Sequence, residues 1–358
     1  GIDARELCGQ PTGVGRYLQG LLAEWSRDEI VRRHEFVLYA HRPLDLALDG
    51  RRFSTREIPG AGRLWWEQQL LPRVARRDHL DVFFAPGYTV PLLLRCRRVV
   101  TIHDVSFAAH PEWFAWREGL RRRAMSRRAA AAADAVITDS QFSRREIVER
   151  LGAPEGRVHV VLPGIPPDPV RQTPDTTSEP RILYVGSIFN RRHVPELIRG
   201  FAALARRRPT VRLDLVGDNR TYPRQDIAGT IAAEGLDGRA TWRQYVPDAE
   251  LRNLYDNARA FVFLSEYEGF GLTPLEALAA GVPPLLLDTA VAREICGDAA
   301  LYVGRAGSAE VAEAMERLLF DAGTRDAIMS CAAPVLSRYS WPRAARETLA
   351  ILEGVVRS

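Results

Sequence analysis

Short apolar runs recur along the chain, with amphipathic stretches between them. In the first half the runs are FVLY (36–39), DVFFAP (81–86), RRVVTIHD (97–104), AVITDS (135–140) and RVHVVLP (157–163). In the second half they are RILYVGS (181–187), RLDLVG (212–217), ATWRQYV (240–246), RAFVFLS (259–265) and PPLLLD (283–288). Runs this apolar suit strands buried on both faces, and the helical patterns between them predict parallel sheets with helices on either side. The alternation breaks at PGIPPDPVRQTPDTTSEP (163–180), where proline removes backbone donors and forbids a regular element. The pattern thus predicts an α/β chain of two doubly wound domains, residues 1–165 and 181–340, joined by a linker over 166–180. A length of 358 residues suits two cores rather than one. Ligands of such sheets bind beyond the carboxyl ends of the strands, so the expected site is a cleft between the two domains.

Composition narrows the class. The longest apolar runs are about strand length, well short of the roughly 20 residues that span a bilayer. The start shows no secretory leader, and Cys8, Cys96, Cys296 and Cys331 are scattered. A reducing cytoplasm is the expected compartment; neither a disulfide framework nor a metal site is expected. All 49 basic residues are arginine. The first 170 residues hold 26 of them against 21 of the 45 acidic residues, so the basic excess lies in the first half and could face an anionic partner. Neither half has the charge density of a nucleic-acid binder.

The densest chemistry lies in EYEGFGLTPLEALAAGVP (266–283), directly after an apolar run. Gly269 and Gly271 allow close approach of a ligand. Thr273 fits a helix N-cap, Pro274 the first helical position and Gly281 the stop. The amides from Phe270 through Leu272 to Thr273 would then form an anion site suited to a diphosphate. Glu276 fits two roles equally: the return partner of a Thr273 capping box, or a ligand group. Glu268, in a glycine turn at a strand end, is either solvated or aimed at a ligand.

Glu268 and Glu276 stand eight apart, and SEYEGFGLTPLEALAAGVP resembles glycosyltransferase family 4, the retaining nucleotide-sugar enzymes with the GT-B fold of two Rossmann-like domains. GIDARELCGQPTGVGRY, TIHDVSF, VITDSQFSRREI, YVGSIFNRRH, YVPDAELRNLYDNA, REICGDAALYV and SWPRAARETL match the family in order along nearly the whole chain. The resemblance implies that residues 1–165 bind acceptor and residues 181–340 bind the nucleotide sugar. It also implies a C-terminal helix, 341–358, that crosses back to the first domain. Glu276 would hold the ribose and Glu268 the transferred sugar. Gly13 and Gly15 would border the donor phosphates. His103 would lie near the transferred sugar, hydrogen-bond a hydroxyl and steady the developing charge. Arg192 and Arg191 would grip the diphosphate, where the family usually has Arg followed by Lys. Some relatives carry a further Arg where this chain has Ser187. Backbone groups at Tyr245 and Val246 would border the base.

HPEWFAWREGLRRRAMSRRAAAAADA (110–135) sets Trp113, Phe114 and Trp116 ahead of six arginines. Such a segment, 113–128, suits an anionic membrane surface or equally an ordinary helix with a solvated face. With these features, the resemblance implies a metal-independent retaining hexosyltransferase without a cofactor. Its expected donor is GDP-mannose and its expected acceptor a glycan or lipid-linked glycan of surface-polysaccharide assembly, at the inner face of the cytoplasmic membrane. UDP- or dTDP-linked sugars and small-molecule acceptors are the alternatives within that chemistry. A sugar-nucleotide epimerase would need no acceptor, and a non-catalytic nucleotide-sugar binding protein would keep its partner when Glu268 is replaced by Ala.

Overall fold

The computed structural model describes residues 1–9, 13–28, 31, 33–46, 48–60, 62–165 and 179–357. The chain folds into two units. One comprises Gly1–Pro111, Trp116–Gly164 and Tyr339–Ser358; the other comprises Glu112–Ala115 and Ile165–Arg338. The four-residue segment Glu112–Ala115 therefore leaves its sequence neighbours and belongs to the second unit. The proline-rich stretch over 166–178 lies outside the described residues.

The first unit holds a seven-stranded parallel sheet. Its strands are β1 (Ile2–Asp3), β2 (Phe36–Ala40), β3 (Phe53–Glu57), β4 (Val82–Ala85), β5 (Arg97–Thr101), β6 (Ala135–Thr138) and β7 (Val158–Val160), in the order β3-β2-β1-β4-β5-β6-β7. Helix α1 (Gly13–Arg27) follows β1, and its Tyr17, Leu18, Leu21, Leu22 and Trp25 recur at helical spacing into the core. The helix that ends the chain, Trp341–Arg357, packs Ala344, Ala345, Leu349 and Leu352 into the same core. Trp25 Nε1 donates to the Ala345 carbonyl at 2.9 Å, so the buried indole N–H is satisfied across these two helices. The second unit thus ends at Arg338, and the last residues belong to the first.

The second unit holds six parallel strands: β8 (Arg181–Val185), β9 (Arg212–Val216), β10 (Ala240–Arg243), β11 (Ala260–Phe263), β12 (Pro284–Leu287) and β13 (Leu301–Val303). Their order is β10-β9-β8-β11-β12-β13, that of a doubly wound sheet, with the chain reversing direction of travel between β8 and β11. Every residue of β11 and β12 is buried, as near-continuous apolar runs require. Both arginines and both glutamates singled out above follow β8 or β11, the two strands flanking that switch point.

Candidate active site

Gly186 follows β8 at φ +141°, and a Cβ there would stand 2.8 Å from Arg192 Nη1. Glycine is needed both for the backbone and for the space the guanidinium fills. Asn190–Arg192 then form a short 3-10 turn, and His193 in the left-handed region starts helix Val194–Arg207. The two arginines consequently lie ahead of the helix, not on its solvent face. Arg191 is 7 % exposed. Its Nε donates to the Tyr267 carbonyl at 3.0 Å, and its guanidinium lies 4.5 Å from the Phe189 ring. Trp113, carried into the second unit by Glu112–Ala115, stacks edge-on to Tyr267 at 6.2 Å and sits 5.9 Å from the Arg191 guanidinium.

Arg192 Nε donates to Glu268 Oε1 at 2.7 Å, and Arg192 Nη1 donates to the Ser187 carbonyl at 2.7 Å. Ser265 Oγ also donates to Glu268 Oε1, at 2.8 Å, and Arg191 Nε lies 4.0 Å from the same oxygen. All three interactions fall on Oε1. Oε2 makes no hydrogen bond among the described residues. The Glu268 side chain is only 14 % exposed, so it is not a solvated turn carboxylate. Burial pushes its pKa up, but Arg192 and Arg191 outweigh burial and hold the carboxyl below its ordinary value. Burial likewise works against the Arg192 charge, and Glu268 offsets it and raises the guanidinium further. Tyr184 beneath them is pushed up to about 12 by burial and stays neutral. Two buried cations thus share one carboxylate, which leaves one positive charge over.

The glycine turn ends in the helix Leu272–Ala279. Its N-cap is Gly271 at φ +98°, without a side-chain cap. Thr273 is therefore inside the first turn, and the capping box expected from TPLE does not form. A left-handed Gly271 lets the helix begin one residue before Thr273, so the first-turn amides are those of Leu272, Thr273 and their neighbours, not of residues after Thr273. Glu276, freed of the capping role, accepts from the Tyr255 hydroxyl at 3.4 Å. Gly281 closes the helix as expected: its amide bonds Leu278 and the Val282 amide reaches back to Ala277, a Schellman ending. Gly269 and Phe270 are buried in the turn.

Beyond this cluster, Tyr245 is 58 % exposed and Val246 is buried, both just past β10 at the carboxyl edge of the same sheet. In the first unit, Gly13 opens α1 and a Cβ added there would meet nothing within 4 Å among the described residues, while Gly15 is buried within the helix. His103 lies past the end of β5. Its Nδ1 meets Asp139 Oδ2 at 2.6 Å and its Nε2 meets the Pro86 carbonyl at 2.9 Å. Both ring nitrogens are thus taken by protein acceptors. The expected in-plane hydrogen bond from this ring to a sugar hydroxyl is not available in this arrangement. Ser265, Phe189 and Asp139 lie inside the matched motifs but were given no role there, and Trp113 was read only with the basic segment. Ser265 could have been found as the last residue of the RAFVFLS run, at the carboxyl strand end where ligand groups gather.

Helix α2 (Trp116–Ala132) begins only at Trp116; Trp113 is engaged as described above. Trp116 is 70 % and Leu120 54 % exposed, one turn apart, with Arg117, Arg121, Arg122, Arg127 and Arg128 exposed on the same helix. No helix among the described residues is long and apolar enough to cross a membrane.

Known proteins resemble this chain in sequence and fold. A family model described as Glycosyltransferase Family 4 matches residues 11–169, and one described as Glycosyl transferases group 1 matches residues 170–333. O-antigen chain mannosyltransferase B of Escherichia coli is 27% identical over 288 residues, 77% of this chain and 75% of that protein. The GDP-mannose:cellobiosyl-diphosphopolyprenol alpha-mannosyltransferase of Xanthomonas oryzae is 28% identical over 190 residues, 53% of this chain and 49% of that protein. The crystal structure of Anabaena HepE in complex with UDP and glucose superposes with a TM-score of 0.76 at 19% identity, covering 98% of this chain and 99% of HepE. With two parallel Rossmann-like sheets and two family models that together run from residue 11 to residue 333, the chain belongs to the family-4-like glycosyltransferases of GT-B fold.

Proposed function

We propose that this glycosyltransferase moves mannose from GDP-mannose to a glycan or lipid-linked glycan, with retention of configuration and without a metal. The observation that carries the reading is the buried trio Arg191, Arg192 and Glu268 at the switch point, with its uncompensated positive charge. A diphosphate at the start of helix Leu272–Ala279 would meet both guanidinium groups and the first-turn amides. These preorganised donors stabilise the charge that builds on the departing diphosphate, the work a divalent ion does elsewhere. Oε2 of Glu268 is left to accept a hydroxyl of the transferred sugar, and Glu276 a hydroxyl of the ribose. The Val246 backbone borders the base, and His103 keeps the catalytic role that the family resemblance implies, without an in-plane bond to the sugar. The donor base and sugar rest on the mannosyltransferases among the relatives. In this reading the phosphate oxygen takes the acceptor's proton as the new bond forms on the face it leaves.

The exposed pair Trp116 and Leu120 among five exposed arginines supports an anionic lipid surface as the place of work, where a lipid-linked acceptor resides. The experiment is proton NMR of the protein in chelator with GDP-mannose, UDP-glucose or dTDP-glucose. A mannose oligosaccharide serves as acceptor and water as the slow substitute. The reading expects consumption of GDP-mannose and a first-formed product with the donor's α configuration. An inverted product, or consumption of a UDP- or dTDP-sugar alone, contradicts it.

A further inference from the structure

Parallel pairing sets Thr101 of β5 beside Ile137 of β6, and side chains two residues along a strand return to the same face. That register brings His103 and Asp139 together on the face that carries Val99, Ala135 and Ile137, which α1 and the C-terminal helix cover. His103 Nε2 faces the Pro86 carbonyl, and a carbonyl only accepts, so Nε2 bears a hydrogen. Nδ1 faces Asp139 Oδ2 at 2.6 Å, and an ionised carboxylate also only accepts. The Tyr17 ring braces the imidazole edge-on at 5.1 Å, and the Tyr88 ring stands at 5.8 Å.

We propose that Asp139 is a positioning residue that holds His103 as an immobile, doubly protonated ring, so that His103 serves the transfer by fixed positive charge rather than as a proton shuttle. The part of this that concerns the transfer rests on the function proposed above. Asp139 is 4 % exposed, and its second oxygen, Oδ1, has no partner among the described residues. The Tyr17, Thr101 and Thr348 hydroxyls are buried beside one another and give that oxygen no hydrogen bond. A half-satisfied buried carboxylate costs stability that a neutral residue would not, so packing alone does not account for an acid at 139.

The titratable groups around the ring are Asp139, Asp104 on the adjoining residue, Tyr17 from α1 and Tyr88 from the loop after β4. Tyr88 donates to Asp104 Oδ2 at 3.1 Å. Tyr17 is pushed far up, by burial and then by the Asp139 charge, and stays neutral. For His103 burial favours the neutral ring, but Asp139 and the Pro86 carbonyl outweigh it and raise the pKa. The charge is therefore stabilising below the ordinary value near 6.5 and is lost only as pH rises through the raised one.

Nitrogen–proton NMR of the His103 ring decides the matter. In the wild type both ring nitrogens should carry protons at about pH 7.5, a unit above the ordinary histidine value. In D139N the second proton should leave at least about one unit lower, a tenfold weaker hold. With GDP-mannose, kcat of D139N should fall roughly tenfold or more at about pH 8 and recover toward wild type at about pH 6, with KM unchanged. D139E should restore part of the loss. A bare ring nitrogen in the wild type at about pH 7.5 overturns the proposal, as does a D139N rate loss equal at both pH values. If D139N does not fold, the wild-type spectrum still decides. If the wild type leaves GDP-mannose untouched, the functional reading fails while the ring spectrum still tests the charge.

Discussion

Replacing Arg192 by Met leaves the Glu268 carboxylate buried with one partner fewer. At 2.7 Å the lost pair interacts by about 6 kcal/mol at an effective dielectric constant of about 20, before desolvation is set against it. Breaking a buried pair typically costs about 3–5 kcal/mol. Two features lower the figure here. Arg191 stays 4.0 Å from the same oxygen, and Ser265 keeps its bond. A loss of roughly 3 kcal/mol follows, or about 6–12 °C in the melting of the second unit at roughly 2–4 °C per kcal/mol. R192M/E268Q should cost less than the two single variants together, because each single change already breaks the Arg192–Glu268 bond, although Arg191 then loses its carboxylate. The assay is chemical denaturation of wild type, both single variants and the double variant, read as a double-mutant cycle. A coupling of about 2 kcal/mol or more is expected. Additive effects within about 0.5 kcal/mol would refute the buried trio as a unit.

Other consequences are simpler to state. Because Glu268 is held below its ordinary value, its stabilising contribution is present above roughly pH 4.3 and lost as pH falls through the depressed value, so acid unfolding of E268Q should show a shallower pH dependence than wild type. Gly186→Ala puts a Cβ 2.8 Å from Arg192 Nη1 at φ +141°, and should cost about 1–3 kcal/mol and weaken GDP binding together, measured by melting and calorimetry. Glu276→Ala removes the acceptor of the long 3.4 Å Tyr255 bond, and KM for GDP-mannose should rise about tenfold or more in initial-rate kinetics. Trp116→Ser with Leu120→Ser should weaken sedimentation with phosphatidylglycerol vesicles and leave melting unchanged; equal binding by the variant would remove the lipid surface from the account.

The apolar runs were legible because parallel strands buried on both faces leave few polar positions. FVLY became β2 and RAFVFLS contains β11. β3 was not legible: it is the edge strand of the first sheet, and its FSTRE is mostly exposed. β1 spans two residues, too few for any periodicity. At the site, Glu268 and the two arginines were legible through the family pattern, but not their mutual pairing, since 76 residues separate Arg192 from Glu268. TPLE has the residues of a capping box, yet the backbone freedom of Gly271 sets the helix start. Asp139 was invisible for the same reason as the pairing: only the register of β5 on β6 brings it to His103.

Thermal unfolding with and without GDP, each in the presence and absence of chelator, for wild type and R192M, tests most directly whether Arg191, Arg192 and Glu268 form a nucleoside-diphosphate site. At about 100 times its dissociation constant GDP should stabilise the wild type by roughly 2.7 kcal/mol, and the same concentration should leave R192M nearly unshifted. An equal shift in both proteins, or a wild-type shift that chelator abolishes, would contradict the account.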